Sequence, residues 1–102
     1  MPQLTPTNQF LKDLDRLKTN KPLWKKITKT LAFLQMNPLH PGLHIERIVN
    51  DPSAWSVRVD KRLRISLDPE KLHPSGNPDW TGGLLLLRVL DHDDPIRIPD
   101  RQ

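Results

Sequence analysis

The chain has 102 residues, of which 16 are Lys or Arg and 12 are Asp or Glu, for a formal net charge of +4. That length suits one domain with one modest core, here residues 1–102 as a whole, and the 35% apolar and 5% aromatic content requires Leu, Ile and Val packed around Trp55 and Trp24. Absent cysteine excludes disulfides and cysteine-ligated metal, and the basic balance suits a nucleic acid or an acidic protein better than a membrane surface.

Residues 1–6 hold two prolines and read as an extended lead-in. Thr7 or Asn8 can cap a first helix whose apolar stripe is Phe10, Leu11, Leu14 and Leu17, with Lys12, Asp13, Asp15, Arg16 and Lys18 outside it. Thr19-Asn20 ends it, and Asn20 caps a second helix with Pro22 in the first turn. This second helix reaches about Met36, burying Leu23, Trp24, Ile27, Leu31 and Leu34 and leaving Lys25, Lys26 and Lys29 wet. Asn37-Pro38 stops it, because a residue before proline disfavours the helical region. The two helices form an antiparallel hairpin that needs a sheet to pack on.

After a turn at Pro38–Gly42, residues His44–Val49 are a candidate strand, and Asn50–Ser53 turn the chain again. The next stretch is the most informative. Trp55, Val57, Val59, Leu63, Ile65 and Leu67 share one parity, the mark of a half-buried sheet, and Asp60-Lys61-Arg62 interrupts it. A two-residue loop would put the arginines on the core face. A three-residue loop pairs Val59 with Leu63, Val57 with Ile65 and Trp55 with Leu67, and keeps every apolar residue on one side. It also sets Arg58 opposite Arg64. Like charges so placed are destabilising unless an anion sits between them, so the hairpin reads as the floor of an anion site.

Asp68–Gly83 is a long loop rich in Pro and Gly, with a short helical turn expected around Pro69–Leu72 and Trp80 pinning one end. Leu84–Leu90 is continuously apolar, as in a strand covered on both faces and therefore interior to the sheet, and it is far too short to cross a bilayer. Arg88 within it must have a partner, most simply a structural ion pair. Asp91-His92-Asp93-Asp94-Pro95 ends the strand, and Ile96–Gln102 is a tail outside the core. The acidic groups around His92 could suit a divalent ion, but neighbours in an extended chain point to alternate faces, and His40 and His44 flank Pro41-Gly42 rather than share a helix. No metal site is expected. No signal-peptide pattern precedes the first helix, so a soluble cytoplasmic protein is the expectation. The expected fold is α+β: an N-terminal helical hairpin on a small, mostly antiparallel four-stranded twisted sheet.

Three segments in this order resemble the RelE/ParE superfamily of bacterial type II toxin–antitoxin modules. They are Asn37-Pro38 with Pro41-Gly42-Leu43 and a strand containing Glu46; Trp55-Ser56-Val57-Arg58 followed by Arg62-Leu63-Arg64-Ile65; and the apolar last strand running into Asp91-His92. The resemblance is to the RelE- and YoeB-like branch, and it covers about residues 8–94. It implies a toxin that cuts mRNA in the ribosomal A site without metal or other cofactor, the ribose 2′-hydroxyl attacking the adjacent phosphate. That chemistry needs a base, cations for the phosphorane and an acid. By motif, Glu46 matches the base, Arg64 the arginine on the scissile phosphate and His92 the acid. Arg58, Arg62 and Lys61 would bind RNA beside them. The implied partners are a cognate antitoxin and the ribosome with its mRNA, and no membrane; a homodimer and a toxin–antitoxin hetero-oligomer both stay open. One departure stands out. YoeB-like members follow the histidine with a tyrosine that helps position the nucleotide, and this chain has none. Two further readings are a ParE-like poison of DNA gyrase and a RelE-like domain kept for binding alone. In the first of these, Glu46 and His92 would be dispensable.

Overall fold

A computed structural model describes residues 3–48 and 51–91. The elements are β1 (Leu4–Pro6), α1 (Asn8–Leu17), α2 (Lys21–Met36), a 3₁₀ turn (Pro41–Leu43), β2 (Glu46–Ile48), β3 (Asp51–Arg58), β4 (Leu63–Pro69) and β5 (Leu84–Asp91). The sheet has five strands in the order β1-β5-β4-β3-β2. All neighbours are antiparallel except β1 and β5, which are parallel. One strand more than expected is present. The described part of the lead-in is extended, and it also pairs with β5, Leu4 opposite Leu84 and Pro6 opposite Leu86. That pairing covers one edge of β5 and makes it interior, which its continuous apolarity requires.

Local chemistry fixes both helix starts. Thr7 Oγ1 accepts from Phe10 N at 3.2 Å and Asn20 Oδ1 from Leu23 N at 3.2 Å, so each cap satisfies a backbone donor that the helix cannot. Phe10, Ile27 and Leu34 from the helices pack with Val57, Leu63, Ile65, Leu67, Leu84, Leu86 and Val89 from the sheet. The core therefore lies between the helical layer and one face of the sheet. No described helix is long and apolar enough to cross a membrane.

The arginine hairpin folds in the register that parity demands. Trp55 pairs with Leu67, Val57 with Ile65 and Arg58 with Arg64, and Val59 N donates to Leu63 O at 2.9 Å. Asp60 ties the three-residue turn, its Oδ1 accepting from Arg62 N at 2.9 Å and Leu63 N at 2.7 Å. Register shifts once between β4 and β5. Ser66 faces Arg88 and Leu67 faces Leu86, so Leu87 is an extra residue. This bulge switches the core-facing set from Leu84 and Leu86 to Val89, which is why the segment shows no alternation in sequence.

Four local expectations are corrected. The first strand is only Glu46–Ile48, because His44 adopts a left-handed conformation at φ 46° that breaks the extended run; its expected end at Val49 lies outside the described residues. Asp51–Ser53 are strand rather than turn, and the ladder slips between Arg47 and Ile48 beside Pro52, which has no N–H to give. Pro69–Leu72 is no helical turn: Pro69 ends β4 opposite Leu84, and Leu72 bridges to Pro78 as the loop folds back on itself. On α1, Leu11 is 48% exposed and Asp13 is fully buried, the reverse of the stripe expected there. Trp80 does anchor the loop, meeting Trp55 edge-on with ring centroids 5.3 Å apart.

The reason for Asp13 is the edge of β5. β1 stops pairing at Pro6, and α1 then runs beside the rest of the strand. Asp13 Oδ2 accepts from Val89 N at 3.0 Å and from Arg88 Nε at 2.8 Å, while Oδ1 accepts from Arg16 at 2.8 Å. A carboxylate thus does for Val89 what a neighbouring strand would otherwise do. Arg88 has the ion-pair partner its sequence position required. Burial works to raise the Asp13 pKa, but the hydrogen bonds from Arg88, Val89 and Arg16 outweigh it and hold the carboxyl below its ordinary value.

Candidate nucleic-acid interface

Parity places the candidate residues on the sheet face opposite the helices. Glu46 pairs with Ser56, Ser56 with Ser66 and Ser66 with Arg88, a row that crosses four strands. Arg58 and Arg64 form the next row. Glu46 is thereby the diagonal neighbour of Arg58, a relation that puts Cβ atoms roughly 7–8 Å apart and within mutual reach of long side chains. Two serines occupy the middle of the first row, so the long side chains rise on either side of a low centre. Glu46 is exposed, Ser56, Arg58 and Arg64 are half-buried, and Ser66 is buried.

The two arginines behave differently. Arg64 Nη1 donates to Asp60 O at 3.1 Å, so the second strand's arginine is held by the turn that precedes it. The Nε of Arg58 is buried and has no hydrogen-bonding partner among the described residues. A buried N–H without an acceptor is costly in any fold and calls for an explanation. Asp60 organises the surroundings. Its Oδ2 lies 3.5 Å from Lys26 Nζ on α2, which ties the hairpin tip to the helical layer. Burial tends to raise its pKa, but the Leu63 and Arg62 amides and the Lys26 charge pull it below the ordinary carboxylate value. Lys61 and Arg62 are exposed at the tip.

Of the six residues singled out from sequence, Glu46, Arg58 and Arg64 come together on one face, and Lys61 and Arg62 stand at its end. His92 lies outside the described residues. The lysines of α2 are exposed, as expected from sequence, and Lys26 and Lys29 also line a cavity with Arg58. The signal was their spacing: Lys26, Lys29 and Phe33 form a stripe beside the apolar one, at intervals that share a helix face. His40 Nδ1 accepts from Gly42 N at 3.0 Å, committing one ring nitrogen to the backbone. Among the described residues no group of three or more His, Asp or Glu could hold a metal ion.

The sequence matches no family model and no curated protein. Solved structures do match. YafQ in the DinJ–YafQ complex of E. coli is 14% identical over 90% of this chain and 94% of that one, with a TM-score of 0.66. A metal-bound toxin from Helicobacter pylori is 20% identical over 90% and 96%, also with a TM-score of 0.66. The YoeB dimer from Staphylococcus aureus is 18% identical over 89% and 97%, with a TM-score of 0.66. At such identities the likeness is one of fold. The chain has the fold of RelE/ParE-type toxins, as its motifs implied.

Proposed function

We propose that this chain is the toxin of a type II toxin–antitoxin pair, an endoribonuclease that cuts mRNA on the ribosome. Fold alone does not carry function; the observation that supports this reading is the placing of Glu46, Arg58 and Arg64 on one sheet face. In the proposed reaction Glu46 takes the proton of a ribose 2′-hydroxyl and the 2′-oxygen attacks the neighbouring phosphorus. Arg64 neutralises the charge gathering on the phosphoryl oxygens, already aimed by its bond to Asp60 O. The bond from phosphorus to the 5′-oxygen breaks, and His92 supplies that oxygen with a proton. Arg58, Arg62 and Lys61 bind the flanking strand.

The proposed antitoxin presents acidic groups to the same arginines, which shields the phosphate site until it is released. YafQ, whose structure is similar to this chain, forms a toxin–antitoxin complex with DinJ. The proposed place of action is the cytoplasm, where ribosomes are. The chain's lack of tyrosine favours a second reading, a binding domain of this fold that has lost cleavage.

The deciding experiment incubates the protein with ribosomes carrying a defined mRNA and maps cuts by primer extension. Glu46→Ala, Arg64→Ala and His92→Ala run beside it, with ribosome-free RNA as control. Cuts confined to the A site and lost in the variants are expected. Intact mRNA with a folded protein would overturn the reading, and a gyrase cleavage-complex assay would then separate a gyrase poison from a domain that only binds.

A further inference from the structure

Past Ser56 no described residue of β2 pairs with β3; the 3₁₀ turn approaches β3 instead, and α2 packs against that turn. They leave a cavity of about 270 Å³ at this corner. Lys26 and Lys29 line it from α2, Arg58 and Asp60 from the hairpin, and Phe33 and His40 form part of its wall. Asp60 is the sole carboxylate among the described lining residues, and it is largely committed. One oxygen accepts two backbone N–H groups, and the other stands at 3.5 Å from Lys26. Among the described residues Lys29 meets the Phe33 ring, 5.8 Å from its nitrogen. Arg58 has its buried Nε without an acceptor among the described residues. Three cations and one carboxylate leave two positive charges in excess.

Such a cluster is unfavourable alone and favourable around an anion. We infer that the cavity is a second phosphate site, holding one backbone phosphate of a bound RNA strand. A phosphate fits better than a carboxylate on geometric grounds. Both ligands carry two charged oxygens, but those of a phosphodiester accept from directions spread around a tetrahedral phosphorus, so the Arg58 fork can hold one side while Lys26 and Lys29 reach the other, whereas a carboxylate accepts mainly within one plane. The Phe33 and His40 rings stack at 5.1 Å with planes 24° apart, giving a flat wall beside the attached sugar. Because Arg58 pairs with Arg64, a phosphate in the cavity adjoins the one assigned to Arg64, a separation that consecutive phosphates of one strand can span. The cavity therefore sets which way the strand crosses the sheet. That the phosphate belongs to RNA rests on the function proposed above; the anion site itself does not.

The test uses a short 2′-O-methyl RNA, fluorescently labelled, because it cannot be cleaved by 2′-hydroxyl attack. Anisotropy across a salt series gives affinity and its salt slope for the full chain and for Lys29→Gln, Arg58→Gln and Lys71→Gln, the last in the distant loop. Thermal unfolding checks that each variant is folded. Lys29→Gln and Arg58→Gln should each bind about tenfold more weakly and lower the salt slope by about one. Lys71→Gln should match the wild type, and inorganic pyrophosphate should displace the RNA. Unchanged affinity and slope in both cavity variants would overturn the site, as would a wild type that binds neither probe. Displacement by poly-glutamate but not by pyrophosphate would overturn it in favour of an acidic peptide. The two proposals fail separately. A protein that leaves ribosomal mRNA intact but shows the expected slopes keeps the site and loses the cleavage reading, while one that cuts normally with Lys29→Gln binding normally does the reverse.

Discussion

Arg88 and Arg58 are both half-buried arginines on strands of one sheet, and they meet opposite fates. Arg88 lies at the bulge of β5 beside α1, where Asp13 receives its Nε at 2.8 Å and Val89 N at 3.0 Å. Arg58 lies near the hairpin tip beside α2, opposite another arginine, with a buried Nε and no acceptor among the described residues. A buried charge with a complete set of partners belongs to the fold. One left incomplete at the margin of a cavity belongs to whatever the cavity binds. The same residue type thus serves stability beside α1 and, on the proposed reading, recognition beside α2.

The sharpest way to break this contrast is to remove Asp13. Asp13→Ala should cost about 2–3 kcal/mol in urea unfolding, because it removes the carboxylate shared by the half-buried Arg88 guanidinium and the Val89 N–H. Joining Asp13→Leu to Arg88→Met should recover the guanidinium's part of that loss and leave the part due to the Val89 N–H. A single variant as stable as the wild type would show that the ion pair is ornamental. Acid tests the same pair. Asp13 and Asp60 both have folded pKa values below their ordinary ones. The stability they supply is therefore complete above the unfolded carboxylate pKa, near 3.9, and is lost as pH falls through the lower folded values. Urea midpoints measured from pH 6 down to pH 2.5 should fall in that window, and Asp13→Asn should flatten the fall.

On the recognition side, Arg64→Ala should lower A-site cleavage by about 10²–10³-fold, as expected when a cation facing transition-state charge is lost. Its stability should drop by only about 1 kcal/mol, for the bond to Asp60 O. Primer extension at equal folded concentration measures the first and urea unfolding the second. Arg58→Met carries a smaller effect of unusual sign. In phosphate-free buffer it should raise stability by about 1 kcal/mol, since it removes an opposed charge and an unsatisfied buried N–H, whereas Arg88→Met should lower it. If both substitutions destabilise equally, the distinction between the two arginines is lost. Of similar size is the effect of Trp80→Leu, expected to cost about 0.5–1.5 kcal/mol for the edge-on contact with Trp55, read as a lowered unfolding midpoint.

The hairpin was legible because its information is local. Alternating side chains and the length of one turn admit a single register, and that register puts Arg58 opposite Arg64 and leaves Glu46 the simple task of sharing their face. The helix caps at Thr7 and Asn20 were legible for the same reason. Asp13 was not, since a carboxylate between Lys12 and Leu14 on an amphipathic helix looks solvated until Arg88 and Val89, 75 and 76 positions away, are brought against it. The bulge at Leu87 was equally hidden, as a run of four leucines has no phase to read.

Sequence by itself determined the α+β class, the two helices and the paired arginines, because each follows from periodicity within a few residues. Tertiary structure decided that the lead-in is a fifth strand, that Asp13 is buried, and that two lysines of α2 meet Arg58 around a cavity. These depend on segments distant in the chain meeting at the edges of the sheet. Periodicity tells which way a side chain faces within its own element; what it meets there is settled only when the elements pack.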